Sequence, residues 1–82
     1  MKRKPYFKIG PQLYSLRKAR ELTQQQVADR IGVDRSTYAF YEKSTTRPSY
    51  EVLTALARLY DVSFAYLLGL TSHPGRFPDT EK

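Results

Sequence analysis

The sequence predicts one small all-α domain built from five helices. The chain has 82 residues, which is enough for a single domain. Between Leu13 and Leu68 the apolar residues recur at intervals of three and four, which is the period of an α-helix. Glycine, proline and helix-capping residues divide this stretch into five short segments. Because the chain contains no cysteine, disulfides and thiolate zinc sites are excluded, and we expect no cofactor.

The first helix is predicted from Pro11 to about Glu21. Proline fits the first turn of a helix, because the N–H that it lacks would have no partner there. Leu13 and Leu16 then lie on one face of this helix, which we expect to face the core.

The second and third helices are predicted to be joined by a tight turn at Gly32. Thr23 and Gln26 form the pattern of a capping box, so the second helix begins after Thr23. Gly32 ends it, because glycine adopts the left-handed conformation of a helix terminus at little cost. The third helix begins after Asp34, a favoured N-cap residue, and runs to about Lys43. The residues predicted to face the core are Val27, Ala28, Ile31, Val33, Tyr38 and Tyr41.

A loop at residues 44–48 separates the third helix from the fourth, since Pro48 disfavours helical backbone at the residue before it. Ser49 and Ser63 are the predicted N-caps of the fourth and fifth helices, and Gly69 ends the fifth after Leu68. The predicted core stripe of the fourth helix is Tyr50, Leu53, Leu56, Ala57 and Tyr60. The rest of the chain is poor in apolar residues and contains two prolines and a glycine, so we expect a loose tail.

The spacing of Ala28 and Gly32 indicates a helix-turn-helix motif. Two short helices pack steeply only where the facing residues are small, which Ala28 satisfies, and Gly32 lets the chain reverse. The second helix of such a motif can enter the major groove of DNA. A corner between helices in any helical domain has the same spacing, so the motif alone leaves both interpretations open.

A set of short motifs extends across most of the chain. The second helix opens with LTQ, the turn follows the pattern A-x-x-x-G-V, and the third helix begins with R-S-T. A glutamate closes that helix and is followed by the motifs R-P-S and L-x-x-L-A. The motif L-x-x-L-R-K-A-R lies before the second helix. Over about 60 residues the chain thus resembles the lambda-repressor-like (Cro or Xre-type) helix-turn-helix family. The resemblance implies a compact five-helix domain that binds double-stranded DNA sequence-specifically, as a homodimeric bacterial or phage repressor on a palindromic operator.

The resemblance places the base-contacting residues at the start of the third helix, whose N-terminus faces base edges when it is docked in the groove. Arg35 is the leading candidate, because its guanidinium can bond guanine O6 and N7 in a bidentate manner. The alternative for Arg35 is a surface ion pair with Asp34. Phe40 either touches a thymine methyl or packs against the loop at residues 45–48. The full set of base-contact candidates is Asp34, Arg35, Ser36, Thr37 and Phe40.

The resemblance also implies contacts to the DNA backbone. Gln24 occupies a common phosphate-contact position, beside the free N–H groups at the start of the second helix. The alternative for Gln24 is a solvated surface residue. The loop after the third helix either supplies further phosphate contacts or is simply polar. The remaining backbone candidates are Lys43, Thr45, Thr46 and Arg47, together with Lys2, Arg3 and Lys4 near the N-terminus.

Arg17 and Glu42 match a salt bridge between the first and third helices of the family, which implies a structural role for both. Three positions depart from the family pattern. Asp34 replaces a hydroxyl residue, and its charge opposes phosphates unless it accepts from cytosine N4. Tyr38 replaces a smaller residue, which predicts a shifted third helix. Ser44 replaces a glycine, which predicts a different turn.

The net charge of +6 indicates an anionic partner such as nucleic acid. Residues 1–20 contain seven basic residues and no acidic one, whereas residues 21–82 contain seven basic and eight acidic residues. The excess therefore lies on the first helix and the segment before it. We divide the chain into a basic arm at 1–8, a helix-turn-helix domain at 9–70 and a flexible tail at 71–82. The arm would follow the DNA backbone or enter a minor groove.

The sequence also bears on three other classes of function: membrane association, catalysis and binding of a protein partner. We expect a cytoplasmic protein without a membrane partner, since no signal peptide or membrane-spanning stretch is recognisable. We do not expect an enzyme, since no catalytic constellation is recognisable. The competing hypothesis is an antitoxin or adaptor that uses the fold to bind a protein partner. An apolar patch would serve a homodimer or such a partner, or would complete the core; its candidates are Leu59, Phe64, Tyr66 and Leu70.

Overall fold

Five helices and no strand form the part of the chain that the computed structural model describes, residues 9–77. The all-α, five-helix prediction is therefore confirmed. None of the helices in this part is long and apolar enough to cross a membrane. Helices α2 and α3 pack against each other, α1 packs on α3 and α5, and α4 packs on α2 and α5. The helices are α1 (Ile9–Ala19), α2 (Gln24–Ile31), α3 (Arg35–Glu42), α4 (Tyr50–Tyr60) and α5 (Phe64–Leu67).

Side-chain caps define where three of the helices begin. The Thr23 hydroxyl accepts from the Gln26 N–H at 3.0 Å, and the Gln26 side chain accepts from the Thr23 N–H at 2.8 Å. This capping box is the predicted one. Ser49 and Ser63 cap α4 and α5 in the predicted way. Asp34 is the N-cap residue of α3, as predicted, but its exposed side chain makes no cap hydrogen bond. The prediction is therefore right for the position and wrong for the side-chain cap.

Left-handed residues end α2 and α3. Gly32 has φ 79° and donates its N–H to the Ala28 carbonyl at 2.9 Å, which closes α2. Ser44 has φ 61° after α3, and so takes the conformation that a glycine would provide at lower cost. The Ser44 hydroxyl accepts from the Gly10 N–H at 3.0 Å, which holds the turn against α1. The prediction of a different turn at Ser44 is therefore wrong.

The core lies where the buried faces of all five helices meet. Tyr38 is fully buried, with its ring edge-on to that of Tyr41 at 6.4 Å, so this large residue fills the space between α3 and its neighbours. Tyr50 is 69% exposed, and its predicted place in the core stripe of α4 is wrong, because it lies beyond the buried end of that stripe. The buried hydrophobic residues of the core are Ile9, Leu13, Val27, Ala28, Tyr38, Tyr41, Leu56, Ala57, Tyr60, Val62 and Leu67.

Arg20 fastens the turn between α1 and α2 to the C-terminus of α4. Its guanidinium donates to the Leu59 carbonyl at 3.3 Å and to the Tyr60 carbonyl at 3.0 Å, and it lies 5.7 Å from the centre of the Tyr60 ring. Carbonyls in the last turn of a helix have no partner within the helix and attract cations. Arg20 therefore has a structural role.

The chain returns to the turn between α4 and α5 just before the described part ends. The Ser63 N–H donates to the Pro74 carbonyl at 2.8 Å, and the Phe77 N–H donates to Asp61 at 3.2 Å. The segment predicted as a loose tail thus begins with residues that contact the domain, and its remainder, residues 78–82, lies outside the described residues. The proposed domain boundaries remain predictions.

The variant Gly10→Ala tests how closely α1 approaches the end of α3. We expect Gly10→Ala to lower the free energy of unfolding by about 2 kcal/mol, because its Cβ would collide with the backbone carbonyl of Glu42. Gly32→Ala is the matched control: its Cβ would enter open space, so the cost is the left-handed strain of about 1 kcal/mol. Urea unfolding followed by circular dichroism measures both. A milder effect at Gly10 than at Gly32 would contradict this packing.

Candidate nucleic-acid interface

Helix α3 presents one face to the core and the other to solvent. Tyr38 and Tyr41 are buried, whereas Arg35 and Ser36 are exposed at its N-terminus and Phe40 is 47% exposed one turn later. This division follows from the helical period, which separates the two sets of residues around the helix axis. The outward face therefore offers a guanidinium, a hydroxyl and an aromatic ring to any surface that α3 contacts.

The other candidates lie close to this face along the chain. Thr37 is partly buried, and the Lys43 ammonium lies 5.9 Å from the centre of the Phe40 ring. Thr45 donates its hydroxyl to the Phe40 carbonyl at 3.1 Å, which ties the loop to α3. Thr46 and Arg47 are exposed in that loop, and Asp34 is exposed before α3. The candidates in the basic arm, Lys2, Arg3 and Lys4, lie outside the described residues.

An ion pair between Arg17 and Glu42 connects α1 to the end of α3. The Arg17 Nε lies 2.6 Å from one Glu42 carboxylate oxygen, and a terminal nitrogen lies 3.2 Å from the other. The other terminal nitrogen of Arg17 donates to the Leu22 carbonyl at 3.0 Å, which adds the start of α2 to the same contact. The side chains are only 11% and 7% exposed. The structure thus contains the salt bridge that the family resemblance implied.

Gln24 extends this contact to the N-terminus of α3. Its amide nitrogen donates to Glu42 at 3.2 Å, and its amide oxygen accepts from Arg35 at 3.5 Å. The Glu42 carboxylate only accepts, so it fixes which end of the Gln24 amide faces Arg35. In this structure the side chain of Gln24 is therefore engaged within the protein, between the ion pair and the leading base-contact candidate. Arg35 pairs with Gln24 rather than with Asp34.

The pKa of Glu42 is set by two opposing effects. Burial disfavours the charged carboxylate and would raise its pKa, but the hydrogen bond from Arg17 and the charge of that residue act in the other direction. The net result is a pKa below the ordinary value for glutamate. Glu42 is therefore a charged anchor for Arg17, as its predicted structural role requires.

A shallow groove runs beside the N-terminus of α2. Basic and amide side chains line it, including Arg17, Lys18, Gln24 and Arg35, together with one acidic residue, Glu21. Free backbone N–H groups at a helix N-terminus favour anions. The groove is therefore compatible with a phosphate passing from the start of α2 toward the start of α3.

The predicted dimer candidates occupy two different environments. Leu59, Phe64 and Tyr66 are partly buried and pack against the core. This agrees with the alternative in which these residues complete the core. Leu70 is 73% exposed at the end of the domain. A role of these residues in pairing stays a prediction.

Two structural residues were not predicted. Gly10 and Arg20 contact segments more than 30 residues away along the chain. No local pattern marks such contacts. For Arg20, the only signal in the sequence is a basic residue in a segment without acids, which suggests a nucleic-acid contact instead.

Known proteins share this arrangement. The helix-turn-helix family model matches residues 13–67. The HTH-type transcriptional regulator YobD of Bacillus subtilis (strain 168) is 50% identical over 62 residues, which are 76% of this chain and 55% of that protein. The cryptic phage CTXphi transcriptional repressor RstR of Vibrio cholerae is 42% identical over 60 residues, 73% of this chain and 54% of that protein. This chain thus spans a little over half the length of these relatives.

A solved structure shows the same fold bound to DNA. The crystal structure of the P22 c2 repressor in complex with a synthetic operator superposes with a TM-score of 0.73 at 28% identity. The match covers 77% of this chain and 96% of that one. This chain therefore belongs to the helix-turn-helix family, and its fold is that of the lambda-repressor-like domains.

Glu42→Gln tests the ion pair through its dependence on pH. We expect a loss of about 3 kcal/mol near pH 7, because Arg17 keeps its buried charge without a charged partner. A lowered pKa means that Glu42 stabilises the fold fully above its unfolded pKa of about 4.3 and loses this contribution as the pH falls through the folded value. Urea unfolding should therefore show the difference between wild type and variant shrinking below about pH 4.

The matched control for this experiment is Glu21→Gln, which neutralises an exposed glutamate in the turn after α1. We expect it to change the free energy of unfolding by less than about 0.5 kcal/mol at either pH. An equal difference between wild type and Glu42→Gln at both pH values would contradict the assigned ion pair.

Proposed function

We propose that this chain is a sequence-specific transcriptional regulator, acting as a repressor, that places α3 in the major groove of double-stranded DNA. The observation that carries the proposal is the exposed N-terminus of α3. Arg35 lies there, 3.5 Å from the amide oxygen of Gln24, whose amide nitrogen donates to the largely buried Glu42 of the ion pair. The likeness to a repressor that has been crystallised with an operator supports it. So do the relatives named as transcriptional regulators and repressors.

Base recognition is assigned to the start of α3. Arg35 would donate two hydrogen bonds to guanine O6 and N7, and Ser36 would bond a base or a phosphate. Phe40, exposed one turn further along, would contact a thymine methyl. Asp34, whose carboxylate makes no cap bond, would accept from cytosine N4. Thr37 would support the helix start.

Backbone contacts would fix the position of α3 without reading sequence. We assign them to the N-terminus of α2, where Gln24 begins the helix, and to the loop after α3. The loop residues are Lys43, Thr45, Thr46 and Arg47. The chain would act in the cytoplasm as a homodimer on a palindromic operator, one copy on each half-site.

An antitoxin that acts mainly through a protein partner is the second candidate. One relative, the antitoxin PezA of Streptococcus pneumoniae serotype 4, is 33% identical over 61 residues. Those residues are only 39% of that protein. Tight operator binding by the chain alone would favour the regulator.

Arg35→Ala tests the docking of α3. We expect it to weaken binding to a cognate duplex by about 1–3 kcal/mol and to abolish preference at one base pair of each half-site. Competition binding against duplexes with each base pair substituted in turn measures this. Arg30→Ala, which removes an exposed arginine from the end of α2, is the control and should keep every preference. Unchanged specificity in Arg35→Ala would contradict the proposed docking.

Removal of residues 1–8 tests the basic arm. This deletion removes Lys2, Arg3, Lys4 and Lys8, so we expect lower affinity and a shallower dependence of affinity on salt, with the base preferences kept. The salt slope should fall by about 0.9 for each phosphate that the shortened chain no longer neutralises. Titrations at several salt concentrations provide the slope. An unchanged slope would show that the arm makes no phosphate contact.

A further inference from the structure

Helix α4 carries an outward face whose two ends are exposed. We define this face by Glu51, Thr54, Ala55 and Arg58, which follow one another at intervals that place them on one side of the helix. Glu51 and Arg58 are exposed, and Thr54 and Ala55 between them are partly buried. The core residues of α4 lie on the opposite side.

The centre of the outward face is small and has no unsatisfied hydroxyl. Ala55 has the shortest side chain that a helix face can present, and Thr54 is little larger. The Thr54 hydroxyl donates to the Tyr50 carbonyl at 2.9 Å, so it already has a partner within α4. Small residues at a helix contact allow two backbones to approach closely. The centre of this face therefore suits packing against another helix.

The two ends of the outward face carry opposite charges. Glu51 and Arg58 are seven positions apart, about 10 Å along the helix. Neither takes part in an ion pair with the described residues. A two-fold axis through the centre of the face, perpendicular to α4, would bring Glu51 of one copy to Arg58 of the second, and the reverse. The charges on this face are thus complementary to those on its own two-fold copy.

Aromatic rings extend the face along one side. The Tyr50 ring, 69% exposed, lies edge-on to Phe64 at 5.8 Å, and the Phe77 ring lies 5.8 Å from Phe64. The Arg58 guanidinium lies over the Phe77 ring at 5.3 Å. Tyr50 is at the N-terminal end of this row and Phe77 at the C-terminal end. The same two-fold axis would therefore bring the exposed ring of Tyr50 toward Phe77 of the second copy.

We propose that two copies of this chain pair through the outward faces of α4, packed antiparallel about a two-fold axis near Thr54 and Ala55. Glu51 and Arg58 form two symmetric ion pairs across the interface, and the exposed ring of Tyr50 adds apolar area at each end. The pairing rests on the proposed function in one respect, since it supplies the homodimer that a palindromic operator requires. It differs from the patch predicted from the sequence, because Glu51, Arg58 and the exposed Tyr50 are not members of that patch.

Charge exchange tests this interface directly. The single variants Glu51→Arg and Arg58→Glu each place like charges at both symmetric positions, and we expect each to weaken the dimer about tenfold. The double variant Glu51→Arg/Arg58→Glu restores opposite charges in the same chain and keeps the net charge of +6. We expect its dissociation constant to return to within about threefold of wild type. Sedimentation of the full chain without DNA measures all four proteins.

Arg30→Glu is the matched control for Arg58→Glu, because it makes the same change in charge on α2, and it should leave self-association unchanged. Equal thermal unfolding of all variants, followed by circular dichroism, shows that the fold is kept. Dimers of wild-type strength in both single variants, a double variant as weak as the single ones, or a wild-type chain that stays monomeric would each overturn the interface. Because the measurement contains no DNA, such a failure leaves the docking of α3 to be judged separately, by the effect of Arg35→Ala on one half-site.

Discussion

The ion pair between Arg17 and Glu42 determines where the exposed face of α3 lies. Arg17 holds both carboxylate oxygens of Glu42 and also the Leu22 carbonyl, so one guanidinium joins α1, the start of α2 and the end of α3. Through Gln24 the same contact reaches Arg35. Because both charged groups are largely shielded from water, their attraction is screened less than that of a surface pair. Among the base-contact candidates, Arg35 is thus connected to the ion pair through the side chain of Gln24.

This arrangement changes what the basic composition means. The sequence places the positive excess on the first helix and the segment before it, but Arg17 is bound to Glu42 and Arg20 to the end of α4. Both charges thus hold the fold together rather than forming an open basic surface. Lys18 remains exposed on α1. We therefore expect attraction to phosphates to depend mainly on the arm, on the loop after α3 and on free N–H groups at the start of α2.

The sequence predicted what depends on neighbouring residues. The capping box at Thr23, the caps at Ser49 and Ser63 and the reversal at Gly32 need only a few adjacent side chains, and all were correct. Asp34 has the right type and position for a cap, yet the orientation of its side chain depends on solvent and not on the pattern. The helical period predicted most of the core but failed for Tyr50, because a stripe does not show where the neighbouring element ends.

The candidate site was predicted in part. The exposed positions of Arg35, Ser36 and Phe40 follow from the period of α3 and from the family motif. The link from Glu42 through Gln24 to Arg35 does not, because it joins residues 11 and 18 positions apart whose geometry only packing defines. The contact between Gly10 and Ser44 could not be predicted for the same reason, since these residues are 34 positions apart.

Selection of bound sites from random duplex DNA, repeated at two salt concentrations, tests most directly whether α3 recognises sequence. We expect a palindromic consensus with half-sites one helical turn apart, about 34 Å, and the same consensus at both salt concentrations. Binding that weakens with salt and yields no consensus would show attraction to the DNA backbone alone. That result would contradict sequence-specific regulation by this chain.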